Sequence, residues 1–346
     1  MTVLSIEQQG YLVHDLLSKK SHNVRMNSFS FKLLVVTNLF FIGSAPANGS
    51  TEFRKSEQPS LLKNSQHLQR DLRQPIQPKY SPPIFDFPVT YNEQVKTWIQ
   101  YFQNQGRHSF KIWLERSARY APYIQAELEK HNLPLDLLYV AMIESGFTPI
   151  ATSSAGAVGI WQFIKPTAKR YGLKVNWWVD ERRNFTKATK AAIAYKKELY
   201  KMFGSWHLVS ASYNSGENRI QRLIQKHQTN DFWELAAMHT LPDETMNYVP
   251  KIIAATLIAK SPALYGFKDL KYSVPFKFEE IYVPGGTDLE NLAQYLGVNK
   301  RYLKDLNPDL LKGFIPREVP RHLIKVPVGS KQLVKRYTQL ITQTTI

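Results

Sequence analysis

Glu144 ends a stretch, Leu135 to Glu144, in which Asp136 is the only other charged residue. Leu137, Val140 and Ala141 share its face if the stretch is helical. A carboxyl there is desolvated, and desolvation disfavours the charged form and raises the pKa. An acid still protonated near neutrality can donate to a leaving-group oxygen. Ser145-Gly146-Phe147 follows at once, and Gly156-Ala157-Val158-Gly159-Ile160-Trp161-Gln162-Phe163 soon after. The two glycines permit backbone shapes closed to other residues. Gln162, which both donates and accepts, stands between two aromatics. One protonated acid beside a polar, aromatic-lined groove suits cleavage of a glycosidic bond. The bland alternative is a glutamate that emerges into solvent at a helix end.

Two later segments add weight, Ser212-Tyr213-Asn214-Ser215-Gly216 and Glu244-Thr245-Met246-Asn247-Tyr248-Val249. Singly, each is ambiguous. Tyr213 fits a core aromatic with a satisfied hydroxyl, and Glu244 fits a charge placed for a helix N-terminus. In order and together, Glu-Ser-Gly, Gly-x-x-Gly-x-x-Gln, Tyr-Asn-x-Gly and Glu-Thr-x-x-Tyr-Val resemble the Slt-type lytic transglycosylases, glycoside hydrolase family 23. The resemblance covers residues 90–265 and extends more weakly to 328. It implies a lysozyme-like helical fold with Glu144 as the sole catalytic acid and base. It further implies that Ser145 and Gln162 line the site and that Tyr213 hydrogen-bonds near the carboxyl. Asn214 would shape its loop, and Glu244 and Tyr248 would complete the groove. Two departures stand out. Ser212 replaces the usual Ala, and Ile160-Trp161-Gln162 replaces a Leu-Met-Gln type segment.

The implied reaction is non-hydrolytic cleavage of the bond between N-acetylmuramic acid and N-acetylglucosamine in peptidoglycan, leaving 1,6-anhydro ends. It needs no metal and no cofactor. A lysozyme-type hydrolase on the same fold is the rival, and it needs a second carboxylate to position water. Asp180 and Glu181 are the nearest in sequence, although ion pairing and helix capping suit them better. A catalytically idle glycan-binding protein is the non-enzymatic alternative.

The elements that position these residues are mostly helical. Helical periodicity runs through Val95–Phe102, Ile112–Lys130, Leu135–Glu144, Pro166–Tyr171, Thr186–Phe203, Trp206–Asn214, Ile220–Gln228, Phe232–Met238 and Glu244–Lys260. Pro134, Pro166 and Pro242 stand where they can open helices. The fold class is therefore mainly α, with a catalytic domain over 88–266. After Gly266 the texture changes. An alternating strand over Phe276–Val283, helices at Leu289–Leu296 and Lys300–Leu306, and a strand at Leu323–Pro327 give a β-α-α-β order. This module, 267–329, resembles a divergent LysM domain, the unit that binds N-acetylglucosamine chains. A basic tail over 330–346 is expected to follow.

The chain has no cysteine, which excludes disulfides, thiolate catalysis, Cys-ligated metals and lipid attachment through a processed cysteine. Nine histidines lack ligand spacing. The net charge is +17. No nucleic-acid-binding motif accompanies it, so no nucleic-acid partner is expected. The charge fits peripheral attraction to anionic envelope polymers, or simple solubility. Lys32, the apolar run Leu33–Ile42 and Ala45-Pro46-Ala47 read as a leader peptide over 1–47. Residues 48–87 read as a Pro- and Gln-rich linker. The expectation is an exported monomer of the periplasm or cell envelope, or a secreted one.

Overall fold

Short polar side chains start the helices. Asn92, Asn184, Ser205, Asp231, Asp288 and Asn299 each accept a hydrogen bond from a free N–H of the first turn. Glycines at 146, 204 and 297 end helices in the left-handed conformation. The computed structural model describes residues 83–343, so the leader and most of the linker lie outside the described residues.

The first part holds helices α1 (Glu93–Gln103), α2 (Arg107–Lys130), α3 (Leu138–Ser145) and α4 (Lys165–Arg170). Then come α5 (Phe185–Phe203), α6 (Trp206–Ser215), α7 (Glu217–His227), α8 (Phe232–Ala237) and α9 (Asp243–Lys260). Several start earlier than the periodicity suggested. Arg107-His108-Ser109 and Glu217-Asn218-Arg219 are helical but polar, so they carry no apolar signal. Leu135–Leu137 forms a separate turn of 3-10 helix before α3.

Helix α9 packs against α1, α3 and α6, and α5 packs against α2 and α6. Leu138 to Met142 of α3 are buried without a break, as expected of a helix apolar all round. Asp136 is buried too. It accepts from the backbone N–H of Asp86 at 2.9 Å and pairs with Lys260 at 2.5 Å. Burial raises its pKa to about 6 despite that lysine.

The second part pairs β1 (Phe278–Val283) and β2 (His322–Pro327) antiparallel, with Ile281 opposite Ile324. Between them lie α10 (Leu289–Leu296) and α11 (Lys300–Leu306). The segment expected as a basic tail carries a further helix, α12 (Lys331–Gln343), which buries Val334 and Tyr337 in the small core. Helical spacing of Val334, Tyr337 and Ile341 explains why it folds there.

The small core also takes in Trp178 and Val179, which precede α5. Val179 bridges Leu310, Leu311 donates its N–H to the Trp178 carbonyl at 2.9 Å, and Asp180 donates to the Asp309 carbonyl at 2.9 Å. A backbone seam thus joins the module to the segment just before α5.

Candidate active site

Glu144 enters the site from the last turn of α3. Gly146 stops that helix at φ 54°, where an added Cβ would meet the Trp113 ring at 2.2 Å. Only glycine lets the chain turn so tightly beside that ring. Ser145 donates from Oγ to the Ile160 carbonyl at 3.0 Å and accepts from the Thr148 N–H at 3.2 Å. Ser145, expected to line the site, thereby ties the helix that carries Glu144 to the Gly-rich loop.

That loop is held from several sides. Gly159 has φ 90°, and a Cβ there would stand 1.9 Å from the Arg182 carbonyl oxygen. Gln162 also adopts a left-handed φ of 48°. Its amide donates to the Gly159 carbonyl at 2.7 Å and the Ala151 carbonyl at 3.3 Å. Its visible work is therefore to brace its own loop. Trp161 is fully buried and donates from Nε1 to Thr189 Oγ1 at 2.9 Å.

Two tyrosines divide the work around the carboxyl. Tyr248, from α9, donates its hydroxyl directly to Glu144 Oε1. Tyr213, from α6, donates to the Trp161 carbonyl at 2.7 Å. Tyr248, expected to complete the groove, is thus the residue on the acid, while Tyr213 anchors the loop beside it. Asn214 donates from Nδ2 to Glu244 Oε1 at 3.0 Å and accepts from Thr245 Oγ1 at 2.8 Å. That pair of bonds fastens the end of α6 to the start of α9.

Glu144 keeps some exposed surface as a residue, while its carboxyl is packed within protein. Burial pushes its pKa up to about 7, and the like charge of Glu244 adds to the rise. The Tyr248 hydrogen bond and the ammonium groups of Lys196 and Lys251 pull it down. An acid near 7 is half protonated at neutral pH. It can give a proton and, once ionised, take one back.

Asp180 and Glu181 are both buried and both engaged. Asp180 holds Arg182 through two bonds of 2.9 and 2.8 Å, and Arg182 donates onward to the carbonyls of Gly156 and Phe163. Glu181 pairs with Lys187 at 2.6 Å and accepts from the Lys174 N–H at 2.7 Å. Asp180 also caps the turn into α5 by accepting from the Arg182 N–H, and Glu181 pairs with Lys187, in keeping with the capping and ion pairing expected of them. Among the described residues, no group of three or more histidines and carboxylates is arranged to hold a metal ion.

Sequence reasoning missed Lys196. It is 0% exposed on α5, and its Nζ lies 3.7 Å from the Tyr213 ring centroid and 5.6 Å from that of Trp161. Position 196 falls on the buried stripe of Ala188, Ala192 and Leu199, a placement that by itself does not distinguish a buried lysine from one that reaches water. Lys251 was missed as well. It lies with Nζ 4.4 Å from the Trp98 ring centroid, and burial lowers its pKa.

Residues 122–236 match the family described as the transglycosylase SLT domain. Residues 277–342 match that described as the LysM-like domain of lytic transglycosylase MltD. The chain is 33% identical over 250 residues to membrane-bound lytic murein transglycosylase D of Escherichia coli strain K12, covering 71% of this chain and 54% of that protein. It therefore spans about half the length of that relative. It is 33% identical over 147 residues to peptidoglycan transglycosylase gp16 of Escherichia phage T7, covering 41% of this chain and 10% of that protein. The solved 70 kDa soluble lytic transglycosylase of Escherichia coli matches at TM-score 0.33 and 17% identity, covering 55% of this chain and 28% of that one.

Proposed function

We propose that this chain, which carries a transglycosylase SLT domain and an MltD-type LysM-like domain, is an exported lytic transglycosylase of peptidoglycan. Glu144 protonates the oxygen linking N-acetylmuramic acid to N-acetylglucosamine. The bond from that oxygen to C1 breaks, and the N-acetylglucosamine end departs as an alcohol. The muramic acid's own N-acetyl oxygen stabilises the oxocarbenium-like C1, the substrate-assisted route that needs no second carboxylate. The Glu144 carboxylate then takes the proton of the C6 hydroxyl as O6 bonds to C1. The product is a 1,6-anhydro ring, and Glu144 is protonated again for the next turnover.

One observation carries this reading: a single desolvated carboxyl, Glu144, held by Tyr248 with a pKa near 7. A second supports it over hydrolysis. Asp180 and Glu181, the candidates taken from the sequence, are occupied by Arg182, Lys187 and backbone, and Glu244, the carboxylate whose charge reaches Glu144, accepts from Asn214. The positive charge of the chain fits a polymer bearing free carboxylates. Export rests on Ala45-Pro46-Ala47, outside the described residues. Among the described residues no helix is long and apolar enough to cross a membrane.

Glu144→Gln tests the assignment. The variant should sediment with insoluble peptidoglycan as the parent does while releasing no soluble fragments. Undiminished release would remove Glu144 from the chemistry.

A further inference from the structure

Resting on that reading of Glu144, we propose that Lys196 is a positioning residue for the reaction, the buried counter-charge of the carboxylate that forms when Glu144 gives up its proton. Lys196 enters from α5, away from the motifs that define the site. Its side chain is fully buried, and its Nζ has no hydrogen-bond partner. It lies instead over the Tyr213 ring at 3.7 Å, with Trp161 at 5.6 Å. A buried ammonium with no acceptor is costly, and structural lysines in cores are given one. The rings it lies over are those beside the acid, since Tyr213 donates to the Trp161 carbonyl and interacts with the Glu144 charge. Glu144 is the charge acting on Lys196, and Lys196 in turn favours the ionised form of Glu144.

The groups around Glu144 are few. Tyr248, Lys251 and Glu244 face it from α9, Lys196 from α5 and Tyr213 from α6. Glu244 opposes ionisation, and Lys251 lies nearer solvent than Lys196. Lys196 is thus the desolvated group able to carry positive charge while negative charge develops on the carboxyl. Low local dielectric strengthens that attraction. When Glu144 is protonated, Lys196 is left without a counter-charge, which favours proton release from the acid. When Glu144 is ionised, the pair is complete. The two groups therefore titrate as a pair.

Lys196→Met keeps the length and fills the core without the charge. The test is the pH dependence of kcat/KM on peptidoglycan, with 13C NMR titration of the Glu144 carboxyl in the full chain. Glu144→Gln assigns the resonance. Glu144 acts in its protonated form, so its pKa sets the alkaline limb. Removing the cation raises that pKa, and both the limb and the resonance midpoint should move up by about one pH unit. The rate on the acid side should fall about tenfold. Lys196→Gln should move both in the same direction. A merely structural lysine would lower the rate evenly and leave both midpoints in place, which overturns the proposal. A parent inactive on peptidoglycan would count against the functional reading, while the NMR midpoint would still decide the role of Lys196.

Discussion

Two lysines are buried almost equally, Lys196 at 0% exposure and Lys325 at 2%, and their surroundings differ. Lys325 lies on β2, where the module meets the segment before α5. Its Nζ donates to Asn184 Oδ1 at 2.6 Å and stands 4.0 Å from Glu280. Asn184 donates in turn to Asp309 Oδ2 at 2.9 Å. Burial lowers the Lys325 pKa only to about 8, with Asp309 and Glu280 supporting its charge. Lys196 has aromatic faces in place of acceptors, and burial lowers its pKa to about 7. A cation built to hold two parts together is given partners. One built into a reaction site is left incomplete, so that the acid beside it can change charge.

Removing the acid that Lys196 faces should have the largest effect. Glu144→Gln should lower release of soluble muropeptides by about 10³-fold, measured on purified peptidoglycan. Loss of less than tenfold would place the acid elsewhere.

The same exchange at the two lysines should split in sign. Lys325→Met removes the cation that balances Asp309 and Glu280 and should cost about 3 kcal/mol in urea unfolding. Lys196→Met removes an unpaired buried charge and should raise stability by about 1 kcal/mol. Equal destabilisation by both would erase the contrast.

The pH dependence of stability sharpens it further. The folded-state pKa of Glu144, about 7, lies above its ordinary 4.5. The folded protein therefore holds a proton that the unfolded chain releases, and stability falls as pH rises from 4.5 through 7. Glutamine does not titrate, so Glu144→Gln should gain about 2–3 kcal/mol on the parent between pH 5 and pH 8. Parallel curves would show that the carboxyl is solvated.

The smallest change is expected at Tyr248→Phe. The lost hydrogen bond lowered the Glu144 pKa, so the alkaline limb should move up, with about a tenfold loss of rate. A downward shift would contradict the geometry.

What the sequence made legible follows physical lines. The all-apolar run before Glu144 announced a buried helix and a desolvated acid, and Glu-Thr-x-x-Tyr-Val brought Tyr248 to notice. Lys196 escaped because a lysine within an amphipathic pattern normally carries its charge out to water. Only the packing of Trp161 and Tyr213 against α5 shows that no exit exists. The helix over Lys331–Gln343 was read as a tail because eight of its thirteen residues are polar, three of them basic, and they hide the spacing of Val334, Tyr337 and Ile341. Gln162 and Ser145 were expected to line the site. The Gln162 amide nitrogen and the Ser145 hydroxyl also donate to carbonyls of the loop, a demand of tight turns that composition does not reveal.

The most direct measurement is the mass of the released ends. Residues 48–346 would be incubated with purified peptidoglycan and the muropeptides weighed before and after borohydride. The account predicts products lighter by one water than reducing muropeptides and unchanged by borohydride. Ordinary reducing ends would contradict it, making the protein a hydrolase with Glu244 as the candidate second carboxylate.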